Sequence, residues 1–141
     1  MREILAIPVG DLMTRPVITV EPETSIDDLA RLMEAHPCNA FPVVNAGGGL
    51  EGLVSRLDLF KLYLLPYRRF IPALEETWVS SVAAIMSRGV VALYPVEPAL
   101  KAIALMVEHR IRTIPIVRDG PAGLEVLGVV TRRDLAAALK A

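Results

Sequence analysis

The sequence predicts an α+β fold made of two β-α-β-β-α repeats packed by pseudo-twofold symmetry. Three observations carry that expectation. The chain aligns with itself, each half alternates short apolar runs with stretches at helical spacing, and one half of ~60 residues is too short to bury a core alone. At an offset of 73 the match runs without a gap from Met13/Met86 to Val44/Val117, with identities at Arg15/Arg88, Val17/Val90, Pro22/Pro95, Leu32/Leu105 and Met33/Met106. After three extra residues in the second copy it resumes at an offset of 76, pairing Gly52/Gly128, Val54/Val130, Arg56/Arg132, Asp58/Asp134 and Leu59/Leu135, with Ser55 opposite Thr131. Two blocks aligned in the same order are a duplication. The copies span 9–66 and 82–141, with 67–81 as an aromatic linker inside one compact module.

The elements follow in order. "VITV" and "VVAL" are short apolar runs bounded by turn residues, hence strands. "ETSIDDLARLMEAH" sets Ile26, Leu29, Ala30 and Met33 at helical spacing, and the second copy sets Ala99, Ala102, Ile103 and Met106 there. Thr24 or Ser25 caps the first helix, while Pro98 suits the first turn of the second. "FPVV" and "IPIV" read as strands with proline at the entrance, where a missing N–H is tolerated. "NAGGG" and "RDGPAG" turn into "LEGLV" and "LEVLGVV", and amphipathic helices begin at Arg56 and Arg132. Between the copies, "FKLYLLPYRRFIPALEETW" holds Phe60, Tyr63, Tyr67, Phe70 and Trp78, five of seven aromatics. They either complete the core or form an interface.

Composition narrows the function. Apolar residues make up 53% of the chain, yet no run approaches the roughly 20 residues of a membrane span. "MREILAIPVGD" has too short an apolar stretch for a signal peptide, so a cytoplasmic location is expected. The single Cys38 excludes an internal disulfide and fits a reducing compartment. A net charge of −1 argues against nucleic acid and anionic membranes as partners. The apolar excess points to self-association, and a homodimer is expected.

The chemistry sits at "SRLD" (55–58) and "TRRD" (131–134), each after a strand and opening a helix. A hydroxyl with an acid three residues on resembles a capping box, which is a structural role. The same geometry serves a ligand. A helix N-terminus presents N–H groups and a positive dipole to phosphate, and the acid accepts both hydroxyls of a ribose diol. The two roles are compatible.

The order strand, helix, "PV" strand, turn, "GhVS/T-x-x-D" and helix, given twice and joined by an aromatic linker, resembles a tandem pair of cystathionine-β-synthase (CBS) domains from Val9 to Leu139. "AFPVVNAGGGLEGLVSRLDL" and "HRIRTIPIVRDG" with "LGVVTRRDL" carry the likeness. The resemblance implies a stand-alone regulatory module that binds AMP, ADP, ATP, NAD or S-adenosylmethionine in the cleft between repeats. It also implies dimers assembled as a flat four-repeat disc. By that resemblance Ile18, Ala40, Phe41 and Pro42 line the first adenine pocket, and Val91, Thr113, Ile114 and Pro115 the second. Asp58 and Asp134 hold ribose, while Ser55 and Thr131 face phosphate. Arg56 and Arg132 belong to the same two sites.

The copies differ in charge. From His109 to Asp134 five arginines (Arg110, Arg112, Arg118, Arg132, Arg133) stand against three acids. From His36 to Asp58, Arg56 stands against two. Arginine forks match phosphate oxygens, so the second site is the preferred one and Arg112 its best phosphate contact. The counterpart of Arg112 is Asn39, so the first site is expected to bind weakly or to prefer a ligand without phosphate.

Catalysis finds little support, and no enzyme activity, metal or required cofactor is expected. His36 and His109 sit at equivalent helix ends and form no metal-spaced cluster. "GLVSR" lacks the second glycine of a nucleophile elbow, and "NAGGG" lacks the lysine of a phosphate loop. The expected function is a module sensing an adenine nucleotide as regulatory ligand and acting on an effector the sequence does not identify. The alternative is a ligand-free dimerisation or interaction module. Whether such dimers run parallel or antiparallel is open at this level.

Overall fold

The computed structural model describes residues 2–63 and 81–140. The aromatic linker 67–81, apart from Ser81, lies outside the described residues. In chain order the elements are helix α1 (Arg2–Leu5), α2 (Ile26–Ala35), strands β1 (Ala40–Val44) and β2 (Leu50–Ser55), α3 (Arg56–Tyr63), α4 (Ala99–His109), β3 (Thr113–Gly120), β4 (Gly123–Thr131) and α5 (Arg132–Lys140). Single 3₁₀ turns lie at Val9–Asp11 and Val82–Ala84. The fold is mixed α and β, with two antiparallel hairpins. The chain divides into two compact units: Ile18–Ala46 with Leu50–Val90, and Met1–Val17 with Gly47–Gly49 and Val91–Ala141.

The β1–β2 unit forms around an amphipathic helix. Ser25 caps α2 by accepting the Asp28 N–H at 3.1 Å, and the spacing of Leu29 and Met33 buries both. They meet Val20, Phe41, Val43, Val54, Leu59 and Val82 in one core. β1 and β2 pair with Ala40 opposite Ser55, and Gly48 supplies the positive φ of the turn between them.

The β3–β4 unit repeats this plan. Ala99, Ala102 and Met106 of α4 pack with Val9, Leu93, Ile114, Ile116, Val130 and Leu135. Pro98 occupies the N-cap of α4 and not its first turn; the freed Ala99 N–H bonds the Ile7 carbonyl at 2.8 Å. β3 and β4 are longer than their counterparts and pair from Thr113↔Thr131 to Gly120↔Gly123.

Two findings depart from the sequence expectation. First, "VITV" and "VVAL" do not form strands but one parallel bridge each, Val20↔Val43 and Leu93↔Ile116. The prolines are the cause. Pro42 and Pro115 stand third in their strands, not at the entrance, and their carbonyls accept the Val20 and Leu93 N–H at 3.0 and 3.1 Å. A residue's N and C=O face the same side of a strand, so the next ladder bond would run from the proline nitrogen to Ile18 or Val91. Proline has no hydrogen to donate, and the ladder stops.

Second, each unit contains the opening segment of the other copy. Thr14 and Val129 exchange both backbone hydrogen bonds (2.8 and 3.3 Å), as do Ser87 and Leu53 (2.9 and 2.9 Å). Val9 and its counterpart Val82, both fully buried, lie in the cores of these hosts. The shared glycines now have a reason. A Cβ at Gly52 would stand 2.6 Å from the Ser87 carbonyl, and one at Gly128 2.8 Å from that of Thr14. Only glycine lets the crossing segment lie so close.

Candidate ligand-binding site

Each copy places a hydroxyl at the end of a strand and an acid in the first turn of the following helix. Asp58 Oδ2 accepts the Ser55 N–H at 2.9 Å and the Ser55 hydroxyl at 3.1 Å, while Ser55 Oγ accepts the Asp58 N–H at 3.1 Å. Asp134 and Thr131 repeat the arrangement at 2.9, 3.1 and 3.2 Å. The capping box is therefore made in both copies, and it commits the hydroxyl and one carboxylate oxygen. It also holds the second oxygen, Oδ1, in a defined direction.

The partner of Oδ1 differs between copies. Asp58 is buried, and its Oδ1 meets the Lys61 ammonium at 3.3 Å. Asp134 is half-buried, and its Oδ1 accepts the Thr14 hydroxyl at 2.9 Å. Neither Lys61 nor Thr14 was singled out by the sequence. A signal existed for both: Lys61 stands opposite Ala137 at the offset of 76, and Thr14 opposite another hydroxyl, Ser87, at 73.

The strand beside each box is positioned by the hairpin. The pairs Ala40↔Ser55 and Thr113↔Thr131 bring the first strand residue next to the hydroxyl. Phe41 and Ile114 send their side chains into the two cores, so they can offer a ligand only main chain. Ala40, Pro42, Thr113 and Pro115 are buried around them. Ile18 and Val91 are half-buried, and among the described residues their N–H and C=O groups have no hydrogen-bond partner. The prolines thus leave each copy one unpaired donor and acceptor on main chain, the equipment for reading the edge of a planar heterocycle.

The arginines take separate roles. Arg56 donates from Nη2 to the Met33 and His36 carbonyls (2.7 and 3.2 Å) and from Nε to that of Cys38 (3.2 Å). Its guanidinium satisfies the open C-terminal end of α2. Arg132 makes one such bond, Nε to the Ile111 carbonyl at 3.2 Å. Arg118 pairs with its cross-strand neighbour Glu125 at 2.9 Å. Arg112 is exposed and unpaired among the described residues, just before β3. Arg110 closes α4 in the left-handed conformation (φ 55°).

Burial pushes the Cys38 thiol up, which favours its protonated form. Among the described residues no group of three or more His, Cys, Asp or Glu is placed to hold a metal ion, and no helix is long and apolar enough to cross a membrane.

Comparison with known proteins finds relatives of the chain and of its fold. The family model for the CBS domain matches residues 9–65 and 82–141. Protein MJ1426 of Methanocaldococcus jannaschii is 27% identical, with 93% of this chain and 90% of that protein aligned. Homoserine O-acetyltransferase of Methanococcoides burtonii is 30% identical over 90% of this chain, but the chain spans only 23% of that enzyme. Among solved structures, CBSX2 in complex with AMP superposes with a TM-score of 0.79 at 28% identity, covering 94% of this chain and 96% of that one. The CBS domain pair of protein MJ0100, in complex with 5′-methylthioadenosine and S-adenosyl-L-methionine, gives 0.77 at 26%, covering 94% and 95%.

Proposed function

The chain belongs to the CBS domain family, and on that premise we propose that it is a regulatory module binding an adenosine-containing ligand. The observation that carries the reading is the pairing, in each copy, of a held carboxylate oxygen with unpaired main chain beside it. A ribose diol and an adenine edge need these two features. The ligands in CBSX2 and in the MJ0100 domain pair, AMP and two other adenosine compounds, support the ligand class.

We assign the preferred site to the β3–β4 unit. Asp134 takes ribose, Val91, Thr113, Ile114 and Pro115 take adenine, Thr131 faces the phosphate end, and Arg112 meets phosphate. The first site uses Asp58, Ile18, Ala40, Phe41, Pro42 and Ser55 in the same roles. Arg56 and Arg132 we assign to the pocket wall, since their guanidinium groups bond main-chain carbonyls. AMP, ADP and ATP are the proposed ligands, with NAD and S-adenosylmethionine as the other members of the class. The chain spans 15–23% of the length of the enzymes among the relatives, so their activity is not carried over.

A second reading, a ligand-free interaction module, is favoured by one observation: both hydroxyls are already committed to the capping box. Thermal melting separates the two. A ligand at 100 times its Kd adds roughly 2.7 kcal/mol, so AMP, ATP, NAD or S-adenosylmethionine at millimolar concentration should raise Tm visibly. If none of them moves it, the interaction module stands. Arg112→Ala should weaken AMP and ATP and leave adenosine nearly unchanged; equal loss for all three would remove Arg112 from the phosphate. We further propose a cytoplasmic homodimer acting on an effector protein, without affinity for nucleic acid.

A further inference from the structure

The two copies share the frame of the site but place charge on it differently. In the β3–β4 unit Arg112 stands directly before β3, exposed and unpaired among the described residues, and the first copy has Asn39 at that position. In the β1–β2 unit Lys61 stands one turn after the acid of the capping box, and the second copy has Ala137 there. Relative to the second copy, the first has lost a cation at the strand end and gained one beside the carboxylate. The other described cations of the β1–β2 unit do not undo this. Arg31 pairs with Asp28 at 2.8 Å, Arg56 is occupied by three main-chain carbonyls, and Arg88 has an identical counterpart in Arg15.

We propose that the first site takes an adenosine phosphorylated on its ribose, at the 2′ or 3′ oxygen, where the second takes the free diol. This rests on the ligand class and the ribose acids proposed above, and adds where the phosphate sits. Asp58 is buried and fixed by its cap, with Oδ1 3.3 Å from the Lys61 ammonium. An ammonium carries three donors, so one on Oδ1 leaves two for a ligand. A ribose monophosphate keeps one hydroxyl for the carboxylate and brings a dianion beside it. With no cation there, the two like charges repel and the ester is refused. That is the situation at Asp134, whose Oδ1 meets the neutral Thr14 hydroxyl. At Asp58 the Lys61 ammonium offers a donor to each anion, and its stem, 64% exposed, is free to follow the phosphate. A 5′-phosphate, by contrast, finds Asn39 where the second site has Arg112. An acid for the free ribose hydroxyl and a cation for its phosphate ester is a discrimination that dinucleotide-binding folds also use.

Calorimetry on the full chain with adenosine 2′-, 3′- and 5′-monophosphate tests this. In the Asp134→Ala protein, which leaves the first site to be read by itself, the better of the 2′ and 3′ esters should bind roughly tenfold more tightly than the 5′ ester. Lys61→Ala in that background, giving the first copy the residue of the second, should abolish the preference, and Lys61→Arg should keep it. Circular dichroism checks that each variant folds. Should Asp134→Ala not fold, Lys61→Ala in the wild-type chain makes the same comparison, weakening the 2′ or 3′ ester roughly tenfold relative to the 5′ ester. Equal affinity for the three esters at the first site, or a preference that survives Lys61→Ala, overturns the inference and leaves the adenosine-binding reading standing. A wild-type chain that binds none of the three sinks that reading itself.

Discussion

Asp58 and Asp134 hold identical caps and differ in what reaches their second oxygen. Lys61, one turn further along the same helix, neutralises Asp58. Asp134 meets a neutral hydroxyl from Thr14, a residue of the other copy's opening segment. In the proposed assignment, a ribose diol at Asp134 displaces one neutral donor. At Asp58 it competes with an ammonium. Lys61 is 64% exposed, so that competition is modest, of the ~0–1 kcal/mol typical of surface pairs. The duplicated scaffold thus keeps its frame and varies the one side chain that meets each free carboxylate oxygen.

The sharpest way to break the comparison is through the frame both copies share. Gly52→Ala drives a Cβ against the Ser87 carbonyl and should cost about 3 kcal/mol; Gly128→Ala, whose contacts include the flexible Met13 side chain, should cost about 1–2 kcal/mol. Denaturant titration of both variants measures this, and equal or negligible losses would mean that the crossing segments are loosely held. Next is the arginine pair. Arg56→Ala removes three charge-assisted bonds and should lose about 2–3 kcal/mol, whereas Arg132→Ala removes one exposed bond and should lose under about 1 kcal/mol. If the two variants melt alike, Arg56 does not hold the end of α2.

Ligand binding sharpens the comparison further. Asp134→Ala should weaken AMP by roughly 1.5–3 kcal/mol in calorimetry, while Asp58→Ala leaves the tight event nearly intact. The reverse pattern would transfer the preferred site to the first copy. The smallest effect concerns pH. Glu97 accepts the Tyr94 N–H at 2.8 Å, as Thr24 accepts that of Glu21 at 3.0 Å in the first copy. The Lys101 ammonium, with the Tyr94 N–H, holds the Glu97 carboxyl below its usual range. A carboxyl lowered in the folded state stabilises fully above its unfolded pKa, and this is lost as pH falls through the folded value. Glu97→Gln should therefore cost under about 1 kcal/mol at neutral pH, with the gap to wild type closing in acid. Thr24→Ala should show no such closing, because a hydroxyl does not titrate there.

The parts of the fold that announce themselves in sequence are those set by local pattern. The spacing of Leu29 and Met33, the cap at Ser25 and the box from Thr131 to Asp134 depend on residues within a few positions of one another. The parts that stayed hidden depend on distant chain. That "VITV" shrinks to a bridge follows from which side of β1 the Pro42 nitrogen faces, and that requires the register with Val20. The role of Arg56 required the carbonyl ends of α2 to arrive beside it, and the hydroxyl that Thr14 shares with Ser87 marks the position without naming its partner Asp134, 120 positions away. Arginine type alone reads as phosphate affinity; only the three carbonyls around Arg56 say otherwise.

The exchanged opening segments have a consequence for how such a chain is made. A half cut at the repeat boundary carries Gly128 but not the Met13–Thr14 segment that covers it, and Val82 but not the core that receives it. Such a half is a domain by alignment and an incomplete body by hydrogen bonding. Two separate halves, mixed, should each supply what the other lacks, as domain-swapped partners do. In the intact chain the same exchange delays completion. Ser87 reaches Leu53 as soon as the second copy begins, but Val129 must leave the ribosome before Thr14 has its partner. The β3–β4 hairpin therefore cannot close at that edge until the second copy is nearly synthesised, and closure over that distance places the chain among slower folders.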